Sequence, residues 1–139
     1  MSRQLAATLR TEASANTSVR RERWRAARGY QVAAKRALAR AEISFIEWLL
    51  LEALDELVRE TGDAVSQQAV AKRAGVSEVV ASYWMTKLEQ DCLLDRGLGE
   101  DTRSYLLLLS EEGVAALVRC REALILAGLT DDELEAASP

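Results

Sequence analysis

The chain contains a single proline, Pro139, at its last position. Without a proline ring to remove backbone donors, interruptions must come from glycines and from side chains that cap helix ends, so the chain is expected to be mainly helical. Residues 1 to 18 end in Ala-Ser-Ala-Asn-Thr-Ser, a small, polar stretch that reads as a mobile or weakly ordered extension. From Val19 to about Ala41, Ala27, Tyr30, Ala34, Leu38 and Ala41 fall at helical spacing while Arg21, Arg25, Arg28 and Lys35 share another face. That is the pattern of one long basic amphipathic helix.

Ser44 and Glu47 form a Ser-x-x-Glu capping pattern, with Ile43 and Trp48 placed as a hydrophobic staple. The helix they start carries Ile46, Leu49, Leu50, Ala53, Leu54 and Leu57 as a core stripe and stops at Gly62. Ser66 caps a short helix with Ala69, Val70 and Ala74 inward, and Gly75 ends it just before a second cap at Ser77. Two helices around a tight glycine turn make a helix-turn-helix. In the second, from about Glu78 to Gln90, Ala81, Trp84, Met85 and Leu88 take the buried side and leave Val79, Ser82, Tyr83 and Thr86 outward. Residues 93 to 96 and 103 to 109 read as two short strands around a glycine-bearing loop, the shape of a wing. Ser110, followed by Glu111 and Glu112, caps a last helix to about Ala127, closed by Gly128. Thr130 and Glu133 repeat the capping pattern over a tail shorter than an isolated helix needs. The expected divisions are thus 1–18, 19–41, a lobe at 42–109, and 110–139 as a helix with a short tail.

Charge is distributed unevenly. Residues 1 to 40 carry ten Lys or Arg against two acids, a balance of +8, whereas residues 41 to 139 carry eight against twenty, a balance of −12. A basic arm on an acidic body invites nucleic acid or an acidic surface as partner, or pairs with the body's own carboxylates. The absence of histidine removes imidazole bases, Ser/His and Cys/His nucleophile pairs and histidine metal ligands. Cys92 and Cys120 fit neither a zinc set nor a CxxC pair and are expected to be buried thiols in a reducing compartment. No phosphate loop or catalytic carboxylate pair emerges, so an enzyme is not expected, nor is a metal or cofactor. No signal core or membrane span is expected either, which places the protein in the cytoplasm.

The order helix, helix, turn, helix, strand, wing, strand, helix resembles the MarR family of bacterial winged helix-turn-helix regulators over roughly residues 28 to 135. The likeness rests on Ile43-Ser44-Phe45-Ile46-Glu47-Trp48, Val70-Ala71-Lys72-Arg73-Ala74-Gly75-Val76-Ser77, Thr86-Lys87-Leu88-Glu89, Asp101-Thr102-Arg103 and Leu109-Ser110-Glu111-Glu112-Gly113. It implies a mainly α fold with a two-stranded β wing and flanking dimerisation helices. It also implies double-stranded DNA as partner, with the second helix of the motif in the major groove and a wing arginine in the minor groove. Ser82, Tyr83 and Thr86 would face the groove, with Ser66, Gln67, Ser77, Glu78, Val79 and Lys87 around them, and Arg96 and Arg103 would serve the wing. Arg21, Arg25 and Arg28 are placed to neutralise phosphates. The resemblance further implies a homodimer, for which Trp24, Tyr30, Ala34, Leu38, Val114, Leu117, Val118, Leu124 and Ile125 are the candidate contacts.

Many members of that family bind small aromatic or phenolic ligands; here Trp24, Tyr30, Trp48 and Trp84 are read as core rather than pocket. Two features depart from the family pattern. Glu78, Val79 and Val80 put an acid and two methyl-rich side chains at the start of the recognition helix, where they would meet cytosine amino groups and thymine methyls or else a protein partner. The second choice gives an alternative function, a winged-helix protein-interaction module such as an antirepressor or co-regulator. Cys92 stands where glycine usually ends that helix, so the turn must avoid a left-handed residue or accept strain of roughly 1 kcal/mol.

Overall fold

The computed structural model describes residues 3–99 and 105–129. Its elements run α1 (Arg3–Leu38), a 3-10 turn (Ala39–Ala41), α2 (Phe45–Thr61), β1 (Val65–Ser66), α3 (Gln67–Ala74), α4 (Glu78–Gln90), β2 (Leu94–Leu98), β3 (Tyr105–Leu109) and α5 (Glu111–Leu126). The chain divides into two units, residues 1–33 and residues 34–139.

The first unit is helical from Arg3 onward, so the helix begins well before Val19 and takes in the Ser/Thr/Asn stretch read as weakly ordered. Within it Thr8, Thr11 and Thr17 each donate to the carbonyl four residues back, at 2.9, 3.0 and 2.8 Å. These bonds satisfy the side chain within the helix instead of competing with it. Leu5, Leu9, Val19 and Trp24 are exposed, Trp24 by 67%, so the expectation that Trp24 is core does not hold.

In the second unit, Ala34, Ala37 and Leu38 of the last turn of α1 enter a core completed by Leu50, Leu51, Leu54, Val70, Met85, Leu88, Leu107, Leu117, Cys120 and Leu124. The caps expected at Ser44, Ser66, Ser77 and Ser110 are present, while the one expected at Thr130 with Glu133 lies outside the described residues. Ser44 accepts from the Glu47 amide at 3.2 Å while Glu47 accepts from the Ser44 amide at 3.2 Å, a complete capping box. Ser66, Ser77 and Ser110 accept from Ala69, Val80 and Gly113 at 3.1, 3.3 and 3.0 Å. The two strands of the wing, β2 and β3, pair antiparallel as expected, and a third strand joins them at its base. Val65 pairs with Leu107 and Ser66 with Leu106, which adds β1 to the sheet in the antiparallel order β1-β3-β2. That third strand pins the base of the wing beside the start of α3.

Among the described residues, two backbone positions carry left-handed geometry without glycine, Glu42 (φ 60°) and Cys92 (φ 61°). At Cys92 the amide bonds to the Glu89 carbonyl (3.0 Å) and the next amide, of Leu93, to Leu88 (2.9 Å), the paired closure that glycine usually makes. Gly75 (φ 71°) makes the same closure between α3 and α4 without strain. The chain therefore accepts strain at Cys92 rather than avoiding the left-handed turn. Cys92 is exposed, against the expectation of a buried thiol, because its position beyond the helix end turns it outward; Cys120 is fully buried, and burial raises its thiol pKa to about 11.

Candidate nucleic-acid interface

The face built by the helix-turn-helix follows from how α4 is anchored. Ala81, Met85 and Leu88 are wholly buried, one per turn, and fix the rotation of the helix about its axis. Val79, Ser82, Tyr83, Thr86, Lys87 and Gln90 are thereby turned to one open concavity along the opposite side. Val79 is 81% exposed and Tyr83 67%, large apolar surfaces that a free domain normally covers. Trp84, read as core, is half-buried and packs against the core edge, with Tyr83 edge-on to it at 5.3 Å. Sequence reasoning ended the outward row at Lys87; Gln90 extends it, and its position four residues after Thr86 is the signal that could have found it.

Several of the predicted contact groups are already engaged. The Ser66 and Ser77 oxygens serve as helix caps, which leaves their hydroxyl hydrogens for an outside acceptor. Lys87 lies 5.0 Å over the Trp84 ring and 3.9 Å from Glu47, the one buried charged residue among those described. Glu78, in the first turn of α4, is exposed and favourably placed at the positive end of the helix dipole. Arg96 donates to Thr86 Oγ1 at 3.2 Å and to Gln67 Oε1, and its guanidinium lies 4.2 Å over the Tyr105 ring. It is half-buried, not a free wing cation. Arg103 lies outside the described residues. Arg21, Arg25 and Arg28 are exposed in the first unit.

The dimerisation candidates separate into two groups. Ala34, Leu38, Leu117 and Leu124 are buried in the chain's own core, so, contrary to their expected role as dimer contacts, they offer no surface to a partner. Val114, Val118 and Ile125 stay 49%, 44% and 44% exposed, and their spacing sets them in one row on α5. Tyr30 is 38% exposed.

The acidic body supplies its own counterions. Arg121 on α5 donates to both oxygens of Glu52 (3.0 and 3.0 Å) and to Asp55 (2.8 Å), and these carboxylates push its pKa up. Arg59 meets Asp55 at 3.2 Å, and Arg73 joins α3 to α2 through Glu56 (3.1 Å) and Glu60 (2.8 Å). The carboxylates of α2 are thus paired within their own unit. Among the described residues no helix is long and apolar enough to cross a membrane, and no group of three or more His, Cys, Asp or Glu could hold a metal ion.

No protein-family model matches the sequence, and no curated protein matches it. Solved structures do match the fold. A MarR-family transcriptional regulator from Rhodococcus superposes with a TM-score of 0.72 at 19% identity, over 88% of this chain and 83% of its own. The transcriptional regulator MosR of M. tuberculosis, solved with DNA, superposes at 0.64 with 22% identity over 84% and 80%. A mutant MarR from E. coli, solved with operator DNA, superposes at 0.67 with 14% identity over 83% and 81%. The chain has the winged-helix fold of the MarR-family regulators, as its sequence led one to expect.

Proposed function

We propose that the protein is a DNA-binding transcriptional regulator that acts as a homodimer, with α4 in the major groove and the wing in the minor groove. The observation that carries this reading is α4 itself, locked by three buried side chains with Val79, Ser82, Tyr83 and Thr86 held outward, in a fold shared with regulators solved on DNA. An α-helix so presented fits the major groove, where serine, tyrosine and threonine reach base edges and valine meets thymine methyls. Phosphate neutralisation falls to Arg21, Arg25 and Arg28 of the arm, since the body is acidic, and Arg103 is proposed for the minor groove. The exposed row Val114, Val118 and Ile125 supports pairing with a second copy.

The test is binding of duplex pools by the purified chain and by three variants. Tyr83→Ala and Ser82→Ala are expected to change the sequence selected, and Arg103→Ala to weaken binding to every sequence alike; unchanged binding in all three would refute these roles. A second reading, a winged-helix module that holds another protein, draws on the acid at Glu78 and the 81% exposure of Val79. It predicts that Val79→Asp abolishes capture of a protein partner while the arm's weak DNA affinity is untouched.

A further inference from the structure

Arg96 belongs to β2, yet its guanidinium gathers groups from three other elements. Nη2 donates to Oε1 of Gln67, the first residue of α3. Nη1 donates to Oγ1 of Thr86 in α4, 3.2 Å away, and the guanidinium plane covers Tyr105 of β3 at 4.2 Å. Its Nε is screened from solvent and has no hydrogen-bond partner among the described residues. A guanidinium enclosed in this way has committed its fork to protein and is poorly placed to receive a phosphate.

We propose that Arg96 is a positioning residue: it latches the wing strands to both helices of the motif and so decides what Gln67 and Thr86 can present to DNA. The chemistry of the donor set determines the outcome. Arginine has hydrogens to give and no acceptor, so the Gln67 amide must turn its oxygen toward Arg96 and its NH2 away. Bidentate recognition of adenine needs both ends of that amide. Gln67 is therefore left as a donor, suited to guanine O6 and N7, thymine O4 or a phosphate oxygen. Thr86 gives its one hydroxyl hydrogen to the Ser82 carbonyl at 3.0 Å and accepts from Arg96, so it has no hydrogen to donate outward and offers its methyl group and one remaining lone pair. Methyl contact selects thymine. The latch thus leaves Gln67 with its NH2 as the free end and Thr86 unable to donate, and it holds the wing in register with α4 while they act.

The functional arm of this inference rests on the DNA-binding reading, so the test pairs a measurement on DNA with one on the free protein. Arg96→Lys keeps the charge but has no planar fork to span Gln67 and Thr86 while covering Tyr105; Arg96→Ala removes both. In the free full-length chain, the amides of β2 and β3 are expected to exchange hydrogen at least about tenfold faster in both variants, with α2 and α5 unchanged. On DNA, preference for the selected duplex over random sequence should fall about tenfold or more in both, while the slope of log affinity against log salt stays at the wild-type value. The inference is overturned if strand exchange is unchanged, or if Arg96→Lys restores full preference while Arg96→Ala flattens the salt slope by about 0.9, the mark of one lost phosphate contact. A wild-type chain that prefers no duplex overturns the DNA-binding reading instead, and the exchange comparison then decides the latch alone. Should Arg96→Ala fail to fold, Arg96→Lys carries both measurements.

Discussion

Gly113 is the position where adding one methyl group should do most harm. A Cβ built there lies 1.8 Å from the carbonyl oxygen of Leu93, 2.9 Å from its carbonyl carbon and 3.1 Å from Leu109 Cδ2. The first of these is main chain at the junction of α4 and β2 and cannot swing aside as a side-chain tip would. Restoring ordinary contact requires the start of α5 to retreat by about 1.5 Å. That retreat strains or breaks the bond from the Ser110 amide to Leu93 O (3.3 Å) and from Ser110 Oγ to Cys92 O (2.6 Å). Overpacking of this kind costs about 1–3 kcal/mol, and each lost hydrogen bond adds roughly 1. Gly113→Ala is therefore expected to destabilise by about 3–4 kcal/mol, a large share of the 5–15 kcal/mol typical of a domain, and to lower Tm by about 10 °C. Urea unfolding followed by circular dichroism measures it, with the m-value unchanged if only stability moves. Gly97→Ala is the control, since a Cβ there meets nothing within 4 Å, and it should stay within about 0.5 kcal/mol of wild type. A loss at Gly113→Ala below about 1 kcal/mol would refute the close approach of α5 to Leu93.

Cys92→Gly should stabilise by about 1 kcal/mol, because glycine takes the φ of 61° without the Cβ clash; a drop in the urea midpoint would contradict it. A thiol reagent at pH 8 should label Cys92 rapidly and Cys120 only on unfolding, since Cys120 is buried with its pKa raised to about 11; equal labelling of both in the native state would refute this placement. The Arg73 hydrogen bond lowers the Glu60 pKa in the folded state, so this pair's contribution is fully present above the unfolded value and is lost as pH falls below it and through the lowered folded one. Arg73→Gln should accordingly flatten the fall in stability below about pH 4.5. A pH profile of the urea midpoint identical in the two proteins would exclude that linkage.

The parts of the fold legible in the sequence are those specified by local chemistry. Ser44, Ser66, Ser77 and Ser110 each precede their helix with an oxygen that the N-terminal amides need, and all four caps are formed. The outward row of α4 was legible for the same reason, since the buried and exposed sides of a helix differ by a fixed rotation. Three kinds of feature were not. Hydroxyl bonds from Thr8, Thr11 and Thr17 back into their own helix leave no pattern distinct from that of a helix breaker, so α1 seemed to start late. Strand β1 is two residues long and exists only because Leu106 and Leu107 stand opposite. Apolar periodicity marked Leu117 and Val118 alike, yet only packing tells that the first faces the chain's own core and the second does not. The Arg96 latch is of the same class: its partners Gln67 and Thr86 lie on other elements, and no spacing rule joins them.

Whether α4 reads DNA sequence is decided by selection of genomic fragments by the purified full-length chain near physiological salt, with affinity for the enriched duplex then followed across a salt series. A palindrome with half-sites about one helical turn apart is expected, preferred over random sequence by roughly a thousandfold or more at that salt. Enrichment of no motif, with weak binding that vanishes as salt rises, would contradict sequence reading by α4 and reduce the interaction to a phosphate contact by the basic arm.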